Sequence, residues 1–186
     1  RMNDVPIFRL LGMRNLSSFV GAIFVHALWQ LLKDRLIVNP HQDGYPDLCA
    51  RTAEGRAYID RVSGLRQERS KGAFTHYRFG GIEVKATCGN TPPPSEGQPK
   101  PQIGDPRSHL VQSADWKSHH RSTNNLLGLY WDFIDGLPTV VGLFYCNKLT
   151  EDDWGKLVIP KAAEPPGEPG DPAKPAGRTT SVSVMK

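Results

Sequence analysis

Between Leu126 and Cys146, two apolar, aromatic-rich runs flank the pair Asp135-Gly136. Asp and Gly tolerate the positive φ that a two-residue hairpin turn requires at its central positions. The chain is therefore expected to build part of its core from a β-hairpin, Leu126–Ile134 paired with Leu137–Cys146. Leu129, Trp131 and Phe133 fall on one face of the first strand. Tyr130 and Ile134 on the other face indicate that it is covered as well.

Residues 16–37 carry the clearest helical pattern. Leu16, Phe19, Val20, Ile23, Phe24, Ala27, Leu28, Leu31 and Leu32 recur at three-four spacing. Ser17 or Ser18 is the expected cap, and Pro40 stops the helix from running on. The plain use of such a face is core packing. A shorter helix over 3–14 is expected before it. A turn-rich run, 39–47, leads into a short strand at 47–50. Residues 74–87 read as strands, from Phe74, Tyr77 and Phe79 and then Ile82, Val84 and Ala86. Helix, strands and hairpin together argue for an α/β domain, a mixed central sheet flanked by helices.

The length of 186 residues suits one domain. Apolar residues make up only 38%, because the chain holds 18 glycines and 16 prolines. Six prolines fall in 92–106, expected to be a surface loop, and six in 160–177, where half the residues are Pro or Gly. The expected organisation is a single domain over 1–159, a linker or loop over 160–177, and a returning terminal strand within 178–186 (Thr180, Val182, Val184). The three cysteines, Cys49, Cys88 and Cys146, form no Cys-x-x-Cys pair. This excludes a disulfide framework and a zinc ribbon, and points to a reducing, cytoplasmic setting. The apolar stretch 19–32, interrupted by His26 and Gln30, reads as too short for a membrane span and carries no secretory cleavage pattern. The Arg-Met start reads as truncated or processed.

The chemistry concentrates in Gly80-Gly81-Ile82-Glu83-Val84-Lys85. Alternate strand residues share a face, so Glu83 and Lys85 project together while Ile82, Val84 and Ala86 point to the core. The carboxylate can hold a hard divalent cation, and the ammonium can position a water and stabilise charge on a phosphate. Asp47, 36 residues earlier and at the start of another expected strand, is a second carboxylate for the same cation. The carbonyl of Val84 is a natural further ligand. Acid-x-Lys spelling is not specific on its own. It occurs again as Asp115-Trp116-Lys117, but in polar surroundings. A solvated ion pair on an edge strand is the bland reading of Glu83 and Lys85.

The combination Pro46-Asp47 with Glu83-Val84-Lys85 resembles the PD-(D/E)xK nuclease superfamily. With the preceding apolar helix and the chain's size it looks most like a type II restriction endonuclease. The resemblance rests on residues 46–85. It implies a restriction-endonuclease-like core, Asp47, Glu83 and Val84 as ligands of Mg²⁺, and Lys85 orienting the attacking water. It further implies cleavage of double-stranded DNA to 5′-phosphate ends, and a homodimer, since cutting both strands of a palindrome takes two sites. The chain departs from the pattern in three ways. The spacing is long, Asp60 is a rival first acid, and residues 16–33 contain none of the additional acid that members often carry on the first helix.

The segment 51–85 holds eight Lys and Arg against four Asp and Glu, and its +4 equals the charge of the whole chain. Arg51, Arg56, Arg61, Arg66, Arg69, Lys71 and Arg78 are therefore candidate DNA contacts; a solubilising helix face explains them too. A second group lies in 107–125: Arg107, His109, Lys117, His119, His120, Arg121 and Asn124. Asp115, His119, His120 and Asn124 also faintly resemble ββα-metal nucleases, although an apolar hairpin follows where that fold needs a helix. Zinc through His41, Cys49 and Cys88 lacks ligand spacing. A non-catalytic DNA-binding module on the same scaffold, a structure-specific repair or recombination nuclease, and an interaction protein without nucleic acid remain open alternatives.

Overall fold

The computed structural model describes residues 10–41, 44–65, 71–74, 77–93, 100–118, 124–156 and 183–184. Five strands form one mixed sheet. In chain order the elements are α1 (Met13–Leu32), β1 (Leu36–Val38), β2 (Leu48–Ala50), α2 (Ala53–Gly64), the four-residue α3 (Lys71–Phe74) and β3 (Gly81–Thr87). β4 (Lys117–Ser118), β5 (Leu126–Ile134), β6 (Leu137–Cys146) and β7 (Ser183–Val184) follow. The sheet order is β1-β2-β3-β5-β6. β1, β2 and β3 form an antiparallel meander, β5 joins β3 in parallel, and β6 returns antiparallel to β5. β4 and β7 make a separate two-stranded ribbon, so part of the expected terminal strand is present.

The hairpin forms as expected, with Asp135 at φ 50 and Gly136 at φ 73 supplying its turn. Leu129, Trp131 and Phe133 are fully buried. Trp131 and Phe133 pack with Leu16 and Val20 of α1 and with Cys88. On the other face, Leu126 meets Trp116 and Trp154, with Tyr130 packed against them. Ile134, expected to be covered, is exposed.

α1 starts earlier than its pattern predicts, at Met13, and ends at Leu32. Ser17 and Ser18 therefore sit inside the helix rather than capping it. Ser17 accepts a hydrogen bond from the Trp131 indole at 3.2 Å, and Ser18 donates to the Arg14 carbonyl. With 20 residues and a mean hydropathy of 1.3, α1 does reach the length and composition of a membrane span, contrary to the shorter sequence estimate. A Cβ on Gly21 would stand 3.7 Å from that of Ala86, an ordinary contact, so the helix lies close over β3. Phe19, Ile23 and Leu31 on its outer side are exposed.

Phe74, Tyr77 and Phe79 do not lie in a strand as expected. They gather with Tyr58, Cys49 and Val62 into an aromatic cluster beneath α2, with ring centroids 5.2 to 6.2 Å apart. Their spacing mimics a strand, but ring packing against a helix takes precedence over local alternation. α2 begins on Thr52, whose hydroxyl accepts from the Gly55 N–H at 3.0 Å. The connection from β3 to β5 has no α-helix among its described residues. Asp132, 1% exposed, ties it to β5 by accepting from the backbone N–H groups of Arg107 and Ser108.

Candidate functional site

The site starts from the register of β2 and β3. Leu48 pairs with Ile82 and Cys49 with Gly81, so one further step sets Asp47 opposite Glu83. Directly opposed residues of antiparallel strands share a face, and Lys85 joins them two residues along. Gly81 permits this approach. At φ 151, its missing Cβ would stand 2.1 Å from the Leu48 carbonyl oxygen and 2.5 Å from the Pro46 ring.

Hydrogen bonds lock the three side chains together. The Asp47 N–H donates to Glu83 Oε2 at 3.2 Å, and Asp47 Oδ2 accepts from the Val84 N–H at 2.8 Å. Lys85 Nζ donates to Glu83 Oε1 in an ion pair. On an extended strand a residue's N–H and C=O face the same edge, so the Val84 carbonyl faces Asp47. Asn39 holds the Asp47 turn from behind. Its backbone N–H donates to the Asp47 carbonyl, its amide nitrogen donates to the carbonyls of Pro46 and Phe74, and its Oδ1 accepts from the His41 N–H. Asn39 is not marked out by the sequence as a site residue. Its only signal is membership of a turn-rich run, which does not reveal a buried amide.

Electrostatics follow from burial. Burial raises the Asp47 pKa above the ordinary carboxyl range, against the pull of Lys85. Glu83, 5% exposed, is pushed up to about 7, chiefly by burial; Lys85 opposes that rise and the charge of Asp47 adds to it. Burial pulls Lys85 down, but Glu83 and Asp47 outweigh it and hold its pKa above normal. Two carboxylates beside one ammonium thus leave the pocket in need of positive charge.

The donor set suits Mg²⁺. Two carboxylates and a backbone carbonyl are hard oxygen donors, and Mg²⁺ takes few protein ligands and keeps several waters. Among the described residues, no group of three or more His, Cys, Asp or Glu side chains gathers as a fuller cage. Burial pushes the Cys49 thiol up to about 12, with Asp47 adding to the rise, which disfavours the thiolate that zinc requires. Asp60, the rival acid, is exposed on α2.

Asp47 and Lys85 open onto a cleft of about 1130 Å³ between α1, β3 and the β3–β5 connection. α1 faces it with Ser17, Gly21, Ala22 and His26, among others, and with no acid. Of the expected nucleic-acid contacts, Arg107 lines this cleft and the other described ones do not. Arg51, Arg56, Arg61 and Arg78 are exposed but do not line the cleft. Arg51 donates to the Lys33 carbonyl, and Arg61 stacks its charge over the Tyr58 ring at 5.2 Å. Lys71 lies in α3 and Lys117 in β4, while Asn124 and His109 are exposed. Arg66, Arg69, His119, His120 and Arg121 lie outside the described residues. The cations lining the cleft are Arg14, Lys85, Lys100 and Arg107.

Comparison with protein-family models, curated proteins and solved structures yields no match.

Proposed function

We propose that this chain is a Mg²⁺-dependent endonuclease of type II restriction type, hydrolysing phosphodiester bonds in double-stranded DNA. The observation that carries the reading is the convergence of Asp47, Glu83 and Lys85 on two neighbouring strands, joined by direct hydrogen bonds. A restriction-endonuclease-like core is part of the same proposal. An antiparallel meander delivers Glu-Val-Lys on its third strand and a parallel strand follows, which supports that reading.

Asp47, Glu83 and the Val84 carbonyl would hold the cation. When bound, Mg²⁺ supplies charge stabilisation at the phosphate and a water of lowered pKa. Lys85 stays protonated at neutral pH, because its two carboxylate neighbours raise its pKa. It therefore serves as a hydrogen-bond donor that orients the attacking water and steadies charge on the phosphate, rather than as the base. In-line attack of the water oxygen on phosphorus breaks the bond to the 3′ oxygen; the water gives up its proton to solvent and the leaving 3′ oxygen takes one up from it. The products are a 5′-phosphate and a 3′-hydroxyl.

Cutting both strands of a palindrome calls for a homodimer. The exposed apolar side chains of the edge strand β6, among them Leu137, Leu143, Phe144 and Tyr145, support a second copy docking on this side.

The test is cleavage of plasmid DNA with Mg²⁺ by the wild type and by Glu83→Ala and Lys85→Ala. Loss of cleavage with retained gel-shift binding is the expected result. A wild-type protein that binds DNA but never cuts it leaves a binding module and removes the hydrolytic reading. Discrete bands from a linear substrate indicate sequence recognition, whereas cutting only at junctions or mismatches indicates a structure-specific nuclease.

A further inference from the structure

The β3–β5 connection carries a buried cation that its surroundings do not neutralise. Arg107 is 5% exposed. Among the described residues, no carboxylate lies within ion-pair distance of its guanidinium. The Asp132 carboxylate beside it is taken up by backbone N–H groups of Arg107, Ser108 and Phe133. One guanidinium nitrogen, Nη1, donates to the Cys88 sulfur at 3.3 Å, a weak acceptor, and Nε has no partner among the described residues. Buried charges are ordinarily paired, and this one lines the same cleft as Asp47 and Lys85.

We propose that Arg107 is a phosphate-recognition residue, taking a backbone phosphate of the bound strand a few nucleotides from the one at Asp47 and Glu83. The proposal rests on the cleft receiving nucleic acid, as argued above. Three observations favour a phosphate. The guanidinium fork matches phosphate oxygens in two directions, which a thiol cannot satisfy. Arg14, Lys85 and Lys100 line the same space and outnumber its carboxylates, Asp47 and Asp115. Spacing also fits. Cys88 lies three residues beyond Lys85, about 10 Å along an extended chain. A duplex strand advances about 3.4 Å along its axis per phosphate, so a phosphate a few nucleotides from the scissile one arrives at Arg107. The Asp132 anchor then has a purpose beyond stability, since it sets the backbone from which Arg107 reaches into the cleft.

The experiment is equilibrium binding of a labelled duplex to the full chain in EDTA, across a salt series, for wild type, Arg107→Gln and Arg107→Lys. Arg107→Gln is expected to weaken binding about 10-fold and to reduce the slope of log K against log salt by about one phosphate contact. Arg107→Lys is expected to keep the slope and recover part of the affinity, because it restores charge without the fork. A purely structural arginine would leave the slope unchanged in both. Should Arg107→Gln fail to fold, the wild type decides. Inorganic phosphate is expected to raise its melting temperature saturably at low concentrations, where sulfate and chloride at equal ionic strength control for general salt stabilisation, and the absence of a saturable rise overturns the proposal. DNA binding with this Arg107 dependence but no Mg²⁺ cleavage supports the phosphate site and removes hydrolysis. Cleavage by a wild type whose Arg107→Gln form keeps affinity and slope does the reverse.

Discussion

Glu83 and Asp132 are both carboxylates buried in adjacent strands of one sheet, 5% and 1% exposed, yet their pKa values move in opposite directions. Asp132 is held below the ordinary range. Burial alone would raise it, but hydrogen bonds from Ser108, Arg107 and Phe133 outweigh that cost. Glu83 has no such ring of amides; burial, with a smaller push from the charge of Asp47, raises it to about 7 against the pull of Lys85. The contrast separates two uses of a buried acid. A carboxylate whose charge the backbone satisfies is a structural anchor. One left beside a like charge, with a single lysine for compensation, favours an added cation.

Exchanging the acids for neutral residues sharpens the contrast most. Glu83→Gln is expected to reduce Mg²⁺-dependent plasmid cleavage by about 10³-fold or more, with stability in denaturant melts changed by about 1 kcal/mol at most. Asp132→Ala is expected to do the opposite kind of damage. Two buried N–H groups and one part-buried lose their acceptor, so unfolding free energy should fall by roughly 3 kcal/mol. An Asp132→Ala protein as stable as wild type would break the anchor reading.

Gly81→Ala probes the backbone that brings the acids together. The new methyl would collide with the Leu48 carbonyl at a positive φ, so a loss of about 2 kcal/mol or more is expected, along with weakened metal binding. Gly136→Ala, also at positive φ but with open space around it, should cost only about 1 kcal/mol. Paired thermal melts and Mg²⁺ titrations distinguish the two.

The two acids also part in the pH response of the metal-free protein. Glu83 binds its proton more tightly in the folded state than in the unfolded one. Its contribution to stability is therefore present at low pH and is lost as pH rises from about 4.5 towards about 7. Asp132 has the opposite sign, contributing stability above the ordinary carboxyl pKa that is lost as pH falls through its lowered value. Glu83→Gln should flatten the first trend and leave the second. An unchanged profile would count against a raised Glu83.

Much of this was legible in the amino-acid order because local rules sufficed. The Asp135-Gly136 turn, the apolar period of α1 and the alternation around Glu83 each depend on near neighbours. Phe74, Tyr77 and Phe79 misled for the complementary reason, since their alternation was produced by packing against Tyr58 on a helix rather than by a pleat. The arginines of 51–78 formed an evident cluster in composition, yet those described stand outside the cleft, because helix phase and chain direction, not residue count, decide where charge points.

By itself, the order of residues determined the hairpin, the apolar first helix, and the shared strand face of Glu83 and Lys85, for these follow from residue type and short spacing. Only the tertiary structure decided that the acids meet, since they are 36 positions apart and their encounter depends on β2–β3 register and the room left by Gly81. It alone also separated Asp132 from Glu83 and Arg107 from the exposed arginines, because burial and hydrogen-bond partners belong to the folded arrangement and have no counterpart in the linear chain.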